Sequence, residues 1–198
     1  GDKNKYNKEN MPEFTKNKYG FLLGYIVCMA LLMIFAFSWE TATLDGDSYM
    51  YAATAKHVAK TGQWLNIYDP SYDGSFYYHF PFVIWVTALL FKTFGTNLFT
   101  AKLVSMMSAL FACILIFYFG RRLKSAWVGF FAAWSFLLTN HIARLARQCR
   151  MDLPVTFFII LALFAFYLAQ KRNRYYYLLF GLGSCLAIFT KDIAGTAP

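Results

Sequence analysis

The 198-residue chain contains no GxGxxG, P-loop or HExxH motif, so soluble nucleotide chemistry finds no support in it. Its four cysteines, Cys28, Cys113, Cys149 and Cys185, form no CxxC or CxxH pair. Cys28, Cys113 and Cys185 lie inside apolar runs and read as small apolar fillers, not as a disulfide framework or a zinc site. Internal repeats and low-complexity linkers are absent. The start of the chain does not read as a cleavable signal: the polar lead is long, and the apolar run behind it is long enough to span, with no small-residue cleavage site after it. Charge is scarce, at 15% of residues, and one-sided, giving a net +9. Nucleic acid is nonetheless excluded as a partner, because the basic residues stand in short clusters at the ends of apolar runs, as positive-inside topology requires.

What is present is apolar: 59% of the residues are hydrophobic, with 22 Phe and 14 Tyr. Long runs of this kind predict an all-α, polytopic membrane protein. Residues 1–18, with Lys3, Lys5, Lys8, Lys16 and Lys18, read as a disordered cytoplasmic lead. Residues 19–39 form the first span, running outward, and 40–80 a long first external loop. Within that loop "SYMYAATAKHVAKTG" (48–62) has helical periodicity. Tyr51, Ala55 and Val58 share one face, Lys56 and Lys60 another, and Gly62 ends it. The simplest reading is an amphipathic helix at the membrane interface. "YDPSYDGS" (68–75) reads as consecutive turns. Further apolar stretches cover 81–95, 97–120, 126–143, 153–170 and 175–190, for about five or six membrane helices in a module spanning 19–198.

The stretch 81–95 is ambiguous, since at a rise of about 1.5 Å per residue it reaches only about 22 Å of a roughly 30 Å core. If it does not cross, "GRRLK" (120–124) and "QKRNR" (170–174) lie in the cytoplasm, and Asp47, Arg150 and Lys191 all face outside. Short basic cytoplasmic loops favour this arrangement. The chain stops at "FTKDIAGTAP" without a polar tail, which suggests the N-terminal part of a longer protein.

Four groups of residues stand out for chemistry. Asp45 and Asp47 follow the first span; each reads either as a general base or cation ligand, or as the N-cap of the helix that follows. In "HIARLARQCRMD", Arg144, Arg147 and Arg150 recur at i, i+3 and i+6 on one side of an expected helix, with Asp152 after them. They suit phosphate recognition, or a topological or headgroup anchor. His141 reads as an interfacial polar residue. In "FTKDIAG", Lys191 beside Asp192 reads as a snorkelling lysine or as one facing a lipid phosphate. In "FYYHFPF", Tyr77, Tyr78 and His79 either line a sugar pocket or belong to the interfacial aromatic belt.

Taken in order, these residues resemble the GT-C fold polyprenyl-phosphate-sugar glycosyltransferases, which include the protein O-mannosyltransferases and the lipid A aminoarabinose transferase. The family's Asp-Glu-x-x-Tyr-Ala, amphipathic helix and Gly-Asp/Gln-Trp stand here as "DSYMYA" and "TGQW". "HFPFVIW", "GTNLFTAKL", "RMDLP" and "FTKDIAG" match further family segments across 19–198. The chain departs from the pattern at Ser48, in place of the acidic partner, at His79, in place of a lysine, at Tyr78, in the acidic position preceding it in some members, and at Asp192, in place of a glycine.

The resemblance implies a GT-C transmembrane helix bundle that moves a sugar from a polyprenyl-phosphate donor to a lipid, glycan or protein acceptor on the outer face of the membrane. It selects Asp47 as the catalytic base, with Asp45 beside it. It implies that Tyr51, His79, Arg147, Arg150, Asp152 and Lys191 bind substrate. It leaves open a divalent cation, and implies a multi-pass protein of the membrane, in a bacterium the inner membrane, with a cytoplasmic N-terminus. The rival readings are a polytopic transporter, whose charges would stand near mid-span beside Gly/Pro-broken helices, and a non-catalytic relative of the fold.

Overall fold

The computed structural model describes residues 13–32, 44–76 and 79–191. In chain order the elements are α1 (Glu13–Leu31), α2 (Gly46–Thr61), β1 (Tyr68–Asp69), β2 (Gly74–Ser75), α3 (Phe82–Phe94), α4 (Leu98–Leu123), α5 (Ala126–Leu138), α6 (Asn140–Ala146), α7 (Asp152–Lys171) and α8 (Tyr176–Thr190). This is the expected all-α membrane bundle. Helices α4 and α7 are long and apolar enough to cross a membrane. They run side by side in the same direction, joined by Phe111–Phe157 near one end and by Phe119–Phe164 and Phe119–Tyr167 near the other. Helices α5 and α8 return antiparallel to them.

Both returns depend on glycine. A Cβ on Gly129 would run into the Phe117 carbonyl, and one on Gly120 would lie 2.7 Å from the Gly129 Cα. The α4 and α5 backbones therefore touch. Gly183 approaches the Ala162 backbone in the same way, with a Cβ there only 3.2 Å from the Ala162 N. Small residues at such crossings let helices approach closely where lipid supplies no hydrophobic drive.

Several boundaries differ from the sequence expectation. Helix α1 begins at Glu13, inside the stretch read as a disordered lead; residues 33–39 of the expected first span lie outside the described residues. The stretch 126–143 is two helices, not one. Thr139 breaks it with extended backbone (φ −67°, ψ 111°), its hydroxyl bonded back to the Ser135 carbonyl. The segment 68–75 is a small antiparallel hairpin, with Tyr68 opposite Ser75 and Asp69 opposite Gly74. Asp69 explains it: the carboxylate is buried, and Oδ1 accepts the Ser71 N–H at 2.8 Å, an Asx turn that reverses the chain.

Two apolar clusters hold the bundle. One joins α1, α4, α5 and α6 around Ile26, Met106, Cys113 and Phe117. The other gathers α2, α3 and the 147–151 loop around Val58, Ile84, Phe91, Cys149 and Met151. Helix α2 buries Met50, Thr54, Ala55 and Val58 and packs on α3, while Lys56 and Lys60 face outward. At about 20 Å, α3 is shorter than a 30 Å core, as α5 is. It is held on the side of α2, where the Trp85 indole donates to the Trp64 carbonyl at 2.7 Å.

Candidate active site

The described ends of α2, α7 and α8 meet the loop 147–151, and the charges meet there. Asp45 is the N-cap of α2: its Oδ1 accepts the Ser48 N–H at 3.2 Å and also the Ser48 hydroxyl. Asp47 lies in the first turn, where a carboxylate complements the helix dipole. Of the two readings the sequence left open, the N-cap falls to Asp45. Asp45 is bound into structure, and Asp47 is the more exposed, at 63% of its side chain against 38%.

Arg150 stands at the centre. Its Nη2 donates to Asp45 Oδ2 at 2.7 Å, and its Nη1 lies 3.3 Å from Asp47 Oδ2 and 3.9 Å from Asp152 Oδ2. Asp152 opens α7, and its Oδ1 accepts from Lys191 Nζ at 2.7 Å, just past the end of α8. The result is one ionic chain, from Asp45 and Asp47 through Arg150 and Asp152 to Lys191. Burial disfavours the charged form of Asp45, but hydrogen bonds from Ser48 and Arg150 outweigh it and hold the carboxyl below its usual range. Burial likewise opposes the Arg150 charge, but the bond to Asp45 and the charges of Asp45, Asp47 and Asp152 raise its pKa.

Tyr51, one turn beyond Asp47, borders the cluster. Burial, then the charges of Asp47 and Asp152, push its phenol up to about 12, so at neutral pH it is an O–H donor. Its ring lies 6.4 Å from those of Phe76 and His79. The Phe80 ring meets Phe189 of α8 at 5.0 Å, which brings the 79–81 segment to this end of the bundle.

The three arginines do not share a helix. Helix α6 ends at Ala146, because Cys149 and Met151 turn inward into the second apolar cluster. Arg144 and His141 point outward. The Nε of Arg147 donates to the Ala143 carbonyl at 3.0 Å, and the ion pairs of Asp45, Asp47 and Asp152 are with Arg150 and Lys191. Of the three arginines, it is Arg150 that pairs with these carboxylates among the described residues. Asp192, Tyr77 and Tyr78 lie outside the described residues.

Two residues that the sequence did not mark position Arg150 and Asp45. Ser105, buried in α4, donates its hydroxyl to the Arg150 carbonyl at 2.9 Å and accepts the Arg150 N–H at 3.1 Å. Gln148 accepts the Asp45 backbone N–H through Oε1 at 3.2 Å. A serine inside an apolar run was the available signal for the first; nothing local marks the second.

The donor set does not suit a divalent cation. The three carboxylates face the Arg150 guanidinium, which already occupies the position of the cation. Among the described residues no group of three or more His, Cys, Asp or Glu side chains is arranged to hold a metal.

Residues 78–197 match the family model described as dolichyl-phosphate-mannose-protein mannosyltransferase. An uncharacterized protein of Aquifex aeolicus (strain VF5) is 28% identical over 181 residues, which cover 88% of this chain and 35% of that protein. The crystal structure of ArnT from Cupriavidus metallidurans in the apo state superposes with a TM-score of 0.77 at 22% identity, over 87% of this chain and 33% of that one. The structure of the same protein bound to undecaprenyl phosphate gives 0.77 at 22%, over 86% and 32%. The fold is thus the GT-C transmembrane bundle that the sequence resemblance implied. The chain spans about a third of the length of these relatives.

Proposed function

Because the chain belongs to the dolichyl-phosphate-mannose-protein mannosyltransferase family, we propose that it works as part of a membrane glycosyltransferase drawing on a polyprenyl-phosphate-linked sugar. The observation that carries this reading is the convergence of Asp47, Arg150, Asp152 and Lys191 at one end of an apolar bundle. The donor reaches that end laterally from the bilayer, so the chemistry needs no nucleotide site. The N-terminus and the "GRRLK" and "QKRNR" loops face the cytoplasm, and the charged end faces outward. In a bacterium this membrane is the inner one.

Asp47 is the base. It takes the proton of the acceptor hydroxyl or amine as that oxygen or nitrogen bonds to the anomeric carbon. The anomeric carbon–oxygen bond breaks, and the polyprenyl phosphate departs with the electron pair. Inversion at carbon follows from attack opposite the leaving group. Arg150 is paired with carboxylates and anchors Asp47, 3.3 Å from its Nη1. Lys191, at the edge of the cluster with 43% of its side chain exposed, meets the phosphate and stabilises the charge that develops on it. Tyr51 supplies a neutral O–H beside Asp47, and His79 lines the same side of the site.

The test is transfer of radiolabelled sugar by the full-length protein in lipid vesicles. Transfer from a polyprenyl-phosphate donor is expected, and none from the matching sugar nucleotide. No transfer from any lipid donor, or direct use of the nucleotide, would contradict the proposal.

A further inference from the structure

The opposite end of the bundle carries a second charged surface, of different character. Helices α4 and α7 both finish there, and the phenol of Tyr167 on α7 donates to the Arg122 carbonyl at the end of α4 at 2.9 Å. That bond draws the two basic loops together. Arg122, Lys124, Lys171, Arg172 and Arg174 are all exposed. Among the described residues none of the five pairs with a carboxylate. Arg121 beside them lies over the Tyr19 ring at 4.5 Å, which fixes α1 to the same end.

Between Asp73 and Asp192 the only acidic residue is Asp152, and it belongs to the other end. Arg150 and Lys191 of the site end are paired with carboxylates, and among the described residues the five cations of this end are not. Helix dipoles account for Arg121, Arg122 and Lys171, which sit in the last turns of α4 and α7. Lys124, Arg172 and Arg174 lie beyond those turns, and the positive-inside rule that places them in the cytoplasm does not say what they bind there. Tyr175 and Tyr177, 68% and 46% exposed, flank the cations as aromatic residues do at a headgroup boundary.

We propose that this end is a binding surface for the phosphodiester headgroup of an anionic phospholipid, held between the 121–124 and 171–174 loops. Arginine forks match phosphate oxygens bidentately, and the lysine stems lie along the apolar helix ends with their charges at the interface. Lateral diffusion delivers a lipid to this position, which faces the bilayer. The surface is independent of the transferase reading and needs only that the bundle sits in a membrane.

The experiment is native mass spectrometry of the full chain, extracted from bilayers doped with phosphatidylglycerol and counted for retained lipid. Wild type retains phosphatidylglycerol in preference to phosphatidylcholine. Arg172→Gln/Arg174→Gln retains it about thirtyfold more weakly, the worth of two basic residues near an anionic surface. Lys56→Gln/Lys60→Gln, which removes the same charge from α2 at the other end, retains it as wild type does. Should the first variant fail to fold, Arg122→Gln/Lys124→Gln carries the same expectation. Equal retention by all variants, or equal loss with the α2 control, would overturn the proposal. So would displacement of the lipid by excess inorganic phosphate, which would make the site one for free anions.

Discussion

Arg150 and Asp45 stand 105 residues apart in the chain, and their side chains meet at 2.7 Å. The contact ties the start of α2 to the loop before α7, and brings Asp47 to 3.3 Å from the same guanidinium. Both partners are anchored by backbone as well. Asp45 caps α2, and its N–H is held by Gln148; Arg150 is bracketed by Ser105.

Asp45→Ala removes a helix cap and leaves Arg150 short of its closest carboxylate. A cap is worth about 1 kcal/mol, so thermal unfolding in detergent should move down by at least that much. Asp45→Asn, which can still accept the Ser48 N–H, should lose less.

Acid should erase the Asp45 contribution. The folded carboxyl holds its proton more weakly than the unfolded one, so the stabilisation is complete above the unfolded value of about pH 4 and is lost as pH falls through the folded value. The difference in unfolding midpoint between wild type and Asp45→Asn should therefore hold down to about pH 4 and narrow as pH falls further. A difference that widens on acidification would contradict this.

Ser105→Ala should loosen Arg150 without touching any charge. It removes both bonds to the Arg150 backbone, and an unsatisfied buried group costs about 1–3 kcal/mol. Ser105→Thr keeps the hydroxyl and should recover most of the stability, read again from thermal unfolding.

The α4–α5 crossing offers a paired test. Gly129→Ala forces a methyl into the α4 backbone and should cost about 1–3 kcal/mol or prevent folding. Gly181→Ala in α8 meets nothing within 4 Å and should be neutral, or stabilising by about 0.5–1 kcal/mol.

Much of the site could be read from the sequence, because in a chain this apolar each charge is conspicuous. Asp47, Arg150, Asp152 and Lys191 were singled out one by one, and the structure joins them. The arginine spacing misled, since it assumed that one helix continued through Arg150. The burial of Cys149 and Met151 ends that helix at Ala146, which is a tertiary effect with no local signature. Thr139 breaks the 126–143 run for a comparable reason, a side chain bonding back to its own backbone. The hairpin at 68–75 depends on the burial of Asp69, which turn propensities do not report. Gln148 and Ser105 act through partners more than forty residues away, and no pattern along the chain connects them.

The central claim, that Asp47 is the base of a lipid-phosphate sugar transfer, is tested most directly by Asp47→Asn in the full-length protein, assayed for donor binding and for transfer side by side. The account predicts that the variant folds and binds the polyprenyl-phosphate donor, with transfer reduced by about a hundredfold or more, the worth of a positioned general base. Transfer at the wild-type rate would contradict it, and would move the base to Asp45 or out of this cluster.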